Sequence, residues 1–384
     1  MINFVTDQSI SITSGGWSGI SANIYSQLQR FYPVRYVGPV QPKIPALQKL
    51  ASKASRLCGG RGRFAFYGNT RLRRICSQWQ STRAPEASFD FFHAATPWLK
   101  CQSPMPYGAY LDATFGMYME LYSNAAQFSP QDLSRIADLE RRWLRKASVL
   151  FFGSEWAQNI AIEEYGLEKS KTHVLWLGGN VGIPSRDRYA AGQDFLFISL
   201  NFGKKGGEIA SRALQSVRRR YPKAQLLVVG APPPPEILAL PGIKYCGMLR
   251  KTMPNELAEF KRLLGSARAL VHPTTMDTMG AVLVEAGYFG CPSIATNRFG
   301  IPELVHDGRT GMLVDAPIEV EQVASQMERM LDDEPGYLCM RKAVRSDMTS
   351  RLSWDSFGSK MVAAIASLHL PGLPSDKHVL AGDP

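Results

Sequence analysis

Residues 269–314 read ALVHPTTMDTMGAVLVEAGYFGCPSIATNRFGIPELVHDGRTGMLV. The pattern predicts strand, loop, helix, strand, loop, short helix, strand. ALVH is a short apolar strand and CPSIAT is the next one. Between them, PTTMDTMG is a loop with a single acid, Asp277, and AVLVEAGYFG is a helix-length run with Glu285 in its middle. A glycine-bearing loop that opens a helix suits an anion. Backbone N–H groups without intrahelical partners and the positive end of the helix dipole face the same space. Here those N–H groups belong to Met279, Gly280 and Ala281. Asp277 and Glu285 have seven residues between them and flank Gly280. One acid can touch a ligand from the loop while the other reaches it from the second turn of the helix. An ordinary strand–helix–strand unit whose loop happens to hold an acid gives the same local pattern.

The same alternation extends upstream. DFLFISL is an apolar strand, and NFGKKGGEIASRALQSVRRRYP is a loop followed by a helix with Ile209, Ala213, Leu214 and Val217 on one face. Lys204 and Lys205 stand just before Gly206–Gly207 at the start of that helix. A lysine ammonium beside unpaired N–H groups is what a diphosphate needs. The P-loop pattern GxxxxGK[ST] is absent. AQLLVVGAPPPP is a strand ending in a rigid turn, and GIKYCGMLRKTMPNELAEFKRLLGSA is strand, loop, helix. Downstream, VEQVASQMERML and LSWDSFGSKMVAAIASL are amphipathic, and LPGLPSDKHVLAGDP is a mobile Pro/Gly-rich tail.

The first half alternates in the same way. INFVT is a strand, DQSISITSGGWSG a loop containing Gly15 and Gly16, and ISANIYSQLQRF a helix. VRYVG, ASFDFFHA and SVLFFG are further strands. YGAYLDAT is another, with Asp112 at its end, where ligands of doubly wound sheets bind. His93 ends the strand before it. A core histidine at 93 and a turn-forming aspartate at 112 fit these positions equally well. Pro130 opens a helix over FSPQDLSRIADLERRWLRKA, and Ser154 caps another. The polar, turn-rich VGIPSRDRYAAGQD reads as the link between halves.

At 384 residues the chain is long enough for two domains, and its 45% apolar content suits sizeable cores. The net charge is +11. Residues 41–85 contain Lys43, Lys49, Lys53, Arg56, Arg61, Arg63, Arg71, Arg73, Arg74 and Arg83, and no acid. Leu47, Leu50, Leu57, Phe64, Phe66, Tyr67 and Trp79 are interleaved with them. Such a stretch suits an anionic membrane surface. It also suits a solvated helical face whose apolar side lies in a core. No nucleic-acid motif accompanies the charge, so nucleic acid is not an expected partner. The 6 cysteines show neither CxxC nor Cys/His spacing, which argues against a zinc site and for reduced thiols in a cytoplasmic setting. The chain opens on a strand rather than a secretory leader, and no run approaches the ~18 apolar residues that span a bilayer.

The 269–314 stretch resembles the donor-sugar signature of family-4 retaining glycosyltransferases of GT-B fold (glycosyl transferases group 1). Asp277 and Glu285 stand at its two acids, followed by GCPSIAT and FGIPELV. The resemblance runs along nearly the whole chain and is weakest over 40–85. It implies an α/β fold of two Rossmann-like doubly wound domains facing each other across a cleft. An acceptor-side domain would span 1–182 and a nucleotide-sugar domain 190–353. Helix 354–370 would pack back on the first, and 371–384 would be a mobile tail. It implies retaining, metal-independent transfer from a nucleotide-diphosphate sugar to a glycan or lipid-linked acceptor, in cell-surface glycan or glycolipid synthesis. No cofactor and no metal are expected. The setting would be cytoplasmic, including a peripheral position at the inner membrane face through 41–85.

By the same resemblance, Gly15, Gly16, Lys204, Lys205, Asp277, Met279, Gly280, Ala281 and Glu285 bind the donor. Glu285 takes the ribose hydroxyls, Asp277 the sugar, and Lys205 the diphosphate. Lys205, Asp277 and Asp112 form the catalytic set, and His93 and Asp112 face the acceptor. The loop 247–251 meets the nucleotide base, and the Ser154–Glu155–Trp156 turn also matches. Three positions depart from the pattern. Asp277 replaces a glutamate, Leu200 replaces an arginine five residues before Lys205, and Phe299–Gly300 replaces Gly-Gly. The first two leave open a GT-B-shaped nucleotide-sugar-binding or regulatory protein with little transfer activity. A GT-B epimerase or phosphorylase is a third reading, but no phosphorylase-type cofactor-lysine motif is evident.

Overall fold

The structure is a computed structural model that describes residues 1–10, 19–44, 50, 52–54 and 60–374. Gly15, Gly16, the lysine and arginine at 49 and 56, and the tail from 375 onward lie outside the described residues. The chain forms two compact units, Met1–Trp176 with Asp355–Pro384, and Leu177–Trp354.

In the first unit six strands form one parallel sheet. They are β1 (Ile2–Val5), β2 (Val34–Val37), β3 (Phe89–His93), β4 (Tyr107–Leu111), β5 (Val149–Phe152) and β6 (Thr172–Val174), in the order β2-β1-β3-β4-β5-β6. Helices cover both faces of a parallel sheet, so its central strands are apolar runs rather than alternating ones. INFV, FDFFH, YGAYL and VLFF are accordingly buried along their whole length. Two of the polar exceptions, Asn3 and Asp90, are paired. Asp90 accepts from Asn3 Nδ2 at 2.8 Å and from Ser103 Oγ at 2.8 Å.

Helix Trp354–Ala366 belongs, from Asp355 on, to this first unit although it closes the chain. Its buried face is Phe357, Met361, Val362 and Ile365. Phe357 meets the Tyr110 ring edge-on at 5.5 Å, and Asp355 pairs with Arg30.

The second unit holds β7 (Phe195–Ser199), β8 (Leu226–Gly230), β9 (Ile243–Tyr245), β10 (Ala269–His272), β11 (Ser293–Thr296) and β12 (Gly311–Val314). They too are all parallel, in the order β12-β11-β10-β7-β8-β9. From β7 the chain builds outward in one direction and from β10 in the other. The loops after these two strands therefore part and leave a crevice at their carboxyl ends.

The 181–194 segment, polar and turn-rich in sequence, is fastened within this unit. Arg341 reaches Asp187 with two guanidinium nitrogens, at 2.7 and 2.9 Å, and Arg345 donates to the Pro184 carbonyl. The departure at Phe299 also has a visible consequence. Its φ is 60°, a left-handed conformation that a glycine adopts freely and a phenylalanine rarely does.

Within the basic stretch the structure sorts the side chains. Along helix Asn69–Thr82, Leu72, Ile75 and Trp79 are buried while Arg73 and Arg74 are exposed. The apolar side of this helix thus lies in the core, as in the second of the two readings. Arg71 is buried, donating to the carbonyls of Pro42 and Phe66. Among the described residues no helix is long and apolar enough to cross a membrane.

Candidate active site

The crevice at the β7/β10 switch point carries the charged groups. The loop after β7 holds Leu200, 74% exposed, then Lys204 and Lys205. Asn201 shapes this loop: its carbonyl accepts from Lys205 N at 3.2 Å and its side chain from Lys204 N at 3.1 Å. Gly206 closes it with φ 81°, and a Cβ there would stand 2.2 Å from the carbonyl oxygen of Pro273. Only glycine allows the β7 loop to approach the β10 loop this closely.

That approach delivers Lys205 to the acid. Its Nζ lies 2.7 Å from Asp277 Oδ2 and donates to the Met276 carbonyl at 2.6 Å. The same Oδ2 is 3.0 Å from Nε2 of His272, the last residue of β10, which is 2% exposed. The aspartate accepts, so the imidazole presents its Nε2 proton. Its Nδ1 is buried without a partner among the described residues. Asp277 Oδ1 accepts from the N–H of Gly280 at 3.1 Å and of Met279 at 3.4 Å.

Burial by itself would raise the Asp277 pKa. The His272 hydrogen bond and the Lys205 charge outweigh it and hold the carboxyl well below the ordinary carboxylate range. The carboxylate therefore occupies the lysine and the backbone donors that the sequence marks for an anion.

Gly280, with φ 65°, turns the chain into helix Ala281–Tyr288. That helix buries Glu285, whose side chain is 4% exposed. Its Oε1 accepts from Asn180 N at 2.9 Å and pairs with Lys251 Nζ. Lys251 also lies 4.7 Å from the centroid of the Phe260 ring.

The structure thus brings Lys205, Asp277, Met279 and Gly280 together, with Ala281 the first residue of the adjoining helix. Glu285 lies one turn further, with Lys251. Lys204 is exposed on the β7 loop. His272 was legible only as the end of a strand, and Lys251 only as part of the 247–251 loop. Among the described residues no group of three or more His, Cys, Asp and Glu side chains could hold a metal ion.

His93 and Asp112 belong to the first unit. His93 is 1% exposed. Its Nδ1 is 2.8 Å from Ser21 Oγ and 3.5 Å from Thr6 Oγ1, and burial lowers its pKa to about 3. It is a core histidine kept neutral. Asp112 follows β4 and lines a cavity of about 520 Å³.

Residues 192–333 match the family model for glycosyl transferases group 1. A GDP-mannose-dependent alpha-(1-6)-phosphatidylinositol monomannoside mannosyltransferase of Mycobacterium tuberculosis is 28% identical over 187 residues, 46% of this chain and 48% of that protein. The chain spans about half the length, or less, of the curated relatives that it matches first. The fold is that of two solved GT-B structures. HepE of Anabaena, solved in complex with UDP-glucose, superposes with a TM-score of 0.65 at 16% identity, over 96% of this chain and 100% of that one. Sucrose-phosphate synthase of Thermosynechococcus elongatus superposes with a TM-score of 0.67 at 15% identity, over 96% and 98%.

Proposed function

We propose that the protein is a retaining glycosyltransferase that moves a sugar from a nucleotide-diphosphate sugar to an acceptor hydroxyl without a metal ion. The observation that carries the reading is the Lys205–Asp277 pair at the switch point of the second sheet, with Glu285 one turn into the adjoining helix. The family match over this region supports it. Lys205 and the N–H groups of Met279, Gly280 and Ala281 hold the diphosphate and stabilise the charge that develops on it as the glycosidic bond breaks. Asp277 turns to the sugar hydroxyls. Glu285 accepts from the ribose hydroxyls, since a carboxylate offers two acceptor oxygens to a vicinal pair. Asp112 holds the acceptor hydroxyl. The products belong to glycan or glycolipid synthesis, and the exposed arginines of 60–85 hold the protein at an anionic membrane surface on the cytoplasmic side.

A second reading is a nucleotide-sugar-binding protein with little transfer activity. It is favoured by Asp277 standing on the phosphate donors and by Leu200 where the resemblance puts a cation.

A panel of nucleotide sugars in a thermal-shift assay tests both. A cognate donor at 100 times its Kd stabilises by about 2.7 kcal/mol. NMR of the product then reads transfer and anomeric configuration. Loss of transfer in Lys205→Ala supports the enzyme. A shift without product supports the binding protein, and transfer at the wild-type rate in Lys205→Ala and Glu285→Gln overturns the mechanism.

A further inference from the structure

We propose that the cavity at the carboxyl end of the first sheet takes an uncharged polyhydroxylated ring, a sugar or cyclitol bearing no phosphate, as the acceptor. This rests on the glycosyltransferase reading above. The position follows from topology. The order β2-β1-β3 puts the switch point of this sheet between β1 and β3. Asp7 follows β1, Ala94 follows β3 and Asp112 follows β4, and all three line the cavity. Its volume, about 520 Å³, falls within the range of ordinary small-molecule sites.

One wall is an interlocked set of aromatic rings. Phe64 stacks on Tyr67 at 5.6 Å and meets Phe115 edge-on at 5.5 Å and Tyr118 at 6.4 Å. Beside Phe64, Phe66 is 42% exposed, and Tyr118 is 41% exposed. Large aromatic surface left open to water beside a concavity marks a binding platform. The rings hold one another in place, so the platform is formed before a ligand arrives.

The other wall is acidic. Asp7 and Asp112 line it, and among the described residues no lysine or arginine does. Arg71, against the back of Phe66, is occupied. Its guanidinium lies 4.0 Å from the Phe66 ring centroid and donates to the carbonyls of Pro42 and Phe66. It braces the aromatic wall from behind.

Ala94, between the two walls, has φ 65°. A left-handed alanine costs about 1–2 kcal/mol, and such strain persists where the surroundings impose it, most often at functional sites.

The two walls define the ligand. Ring C–H faces pack on the aromatics, while hydroxyls donate to carboxylates, which accept only. A phosphate here would meet two carboxylates and, among the described lining residues, no cation. An ammonium-bearing ring is the chemistry that competes, because aromatic faces and carboxylates both attract cations.

The test uses the full chain and ligand-observed NMR titration with three probes: methyl α-mannoside, its 6-phosphate, and methyl α-glucosaminide. The neutral glycoside is expected to bind at least about tenfold more tightly than the phosphate. Phe66→Ala and Tyr118→Ala are expected to weaken it by about tenfold, while wild-type melting and the nucleotide-sugar thermal shift are retained. Equal or tighter binding of the phosphate or the amine overturns the proposal. So does unchanged neutral-ring affinity in both rim variants, or no binding of the neutral ring to the wild type. Absence of any nucleotide-sugar shift in the wild type would instead overturn the transferase reading, since these probes do not need a donor.

Discussion

Lys205 Nζ lies 2.7 Å from Asp277 Oδ2, and the other oxygen of that carboxylate accepts the N–H of Gly280 at 3.1 Å. On the proposed function, the aspartate sits where a phosphate oxygen of the donor would sit. A nucleotide sugar would then displace it from these donors, and the displaced carboxylate would turn to the sugar. Removing its charge has opposite consequences for the two halves of the ligand. Asp277→Asn is expected to bind free UDP or GDP more tightly, by up to about tenfold, because Lys205 loses its internal counter-charge. Transfer is expected to fall about 100-fold or more. Lys205→Ala should weaken both. Calorimetry with the free nucleotide and a coupled transfer assay read the two effects separately, and weaker nucleotide binding by Asp277→Asn would contradict the exchange.

Glu285 has a structural partner on each side, Asn180 N and Lys251 Nζ. Its truncation would remove the acceptor of the half-buried Asn180 N–H, at a cost of about 1–3 kcal/mol. Glu285→Gln keeps a carbonyl oxygen for Asn180 and removes the charge. The amide is expected to lower nucleotide-sugar affinity with little change in melting temperature, whereas alanine lowers both. Equal melting of the two variants would show that the Asn180 contact carries no stability.

His93 imposes a pH dependence on stability. Burial lowers its pKa to about 3 in the folded chain, against an unfolded value near 6.5. Between these values the unfolded chain binds a proton that the folded chain does not, so stability falls as pH drops through this window. The limiting slope is about 1.4 kcal/mol per pH unit. Buried Asp90 and Glu140 have raised pKa values and act with the opposite sign, so the difference between wild type and His93→Gln is the informative quantity. Urea denaturation at pH 7, 6 and 5 is expected to show the variant losing less stability than wild type on acidification. Parallel curves would exclude this role.

The closing helix docks through Phe357 against Tyr110 and through Gly358 against Gln27. Phe357→Ala should cost about 3–5 kcal/mol by emptying a filled site. Gly358→Ala would place a Cβ 2.2 Å from Gln27 Oε1 and cost about 1–3 kcal/mol. A double variant with Gln27→Ala should recover part of the second loss but none of the first, as read by chemical denaturation.

For the basic face, the structure separates Arg73 and Arg74, which are exposed, from Arg71, which is buried. Arg73→Glu with Arg74→Glu is expected to reduce co-sedimentation with vesicles containing phosphatidylglycerol, and 0.5 M salt should do the same. Binding insensitive to both charge and salt would remove the membrane surface as a partner.

The strands were legible because parallel sheets bury both faces, and runs such as VLFF and LLVVG admit little else. Lys205 and Asp277 were legible because each follows a strand and precedes a glycine at a helix start. The Lys251–Glu285 pair was not, since it joins two loop-helix units 34 residues apart and exists only after they pack. His272 was hidden by its position, because a histidine ending an apolar strand looks the same whether or not an acid waits beyond it. The orientation of Trp79 and Phe64 in the basic stretch depends on a core that their local pattern does not describe. The polar 181–194 segment read as a link between the halves because its anchor, Arg341, comes 154 residues after Asp187.

The contact at Gly206 makes two distant segments of the chain a single mechanical part. A side chain there would strike Pro273, so the lysine's loop and the aspartate's loop are fitted to one another at this point. If the proposed function holds, a loop grafted here from a relative would fail when either segment is replaced alone. Altering donor choice would then require both to be exchanged together, with glycine kept at the point where they touch.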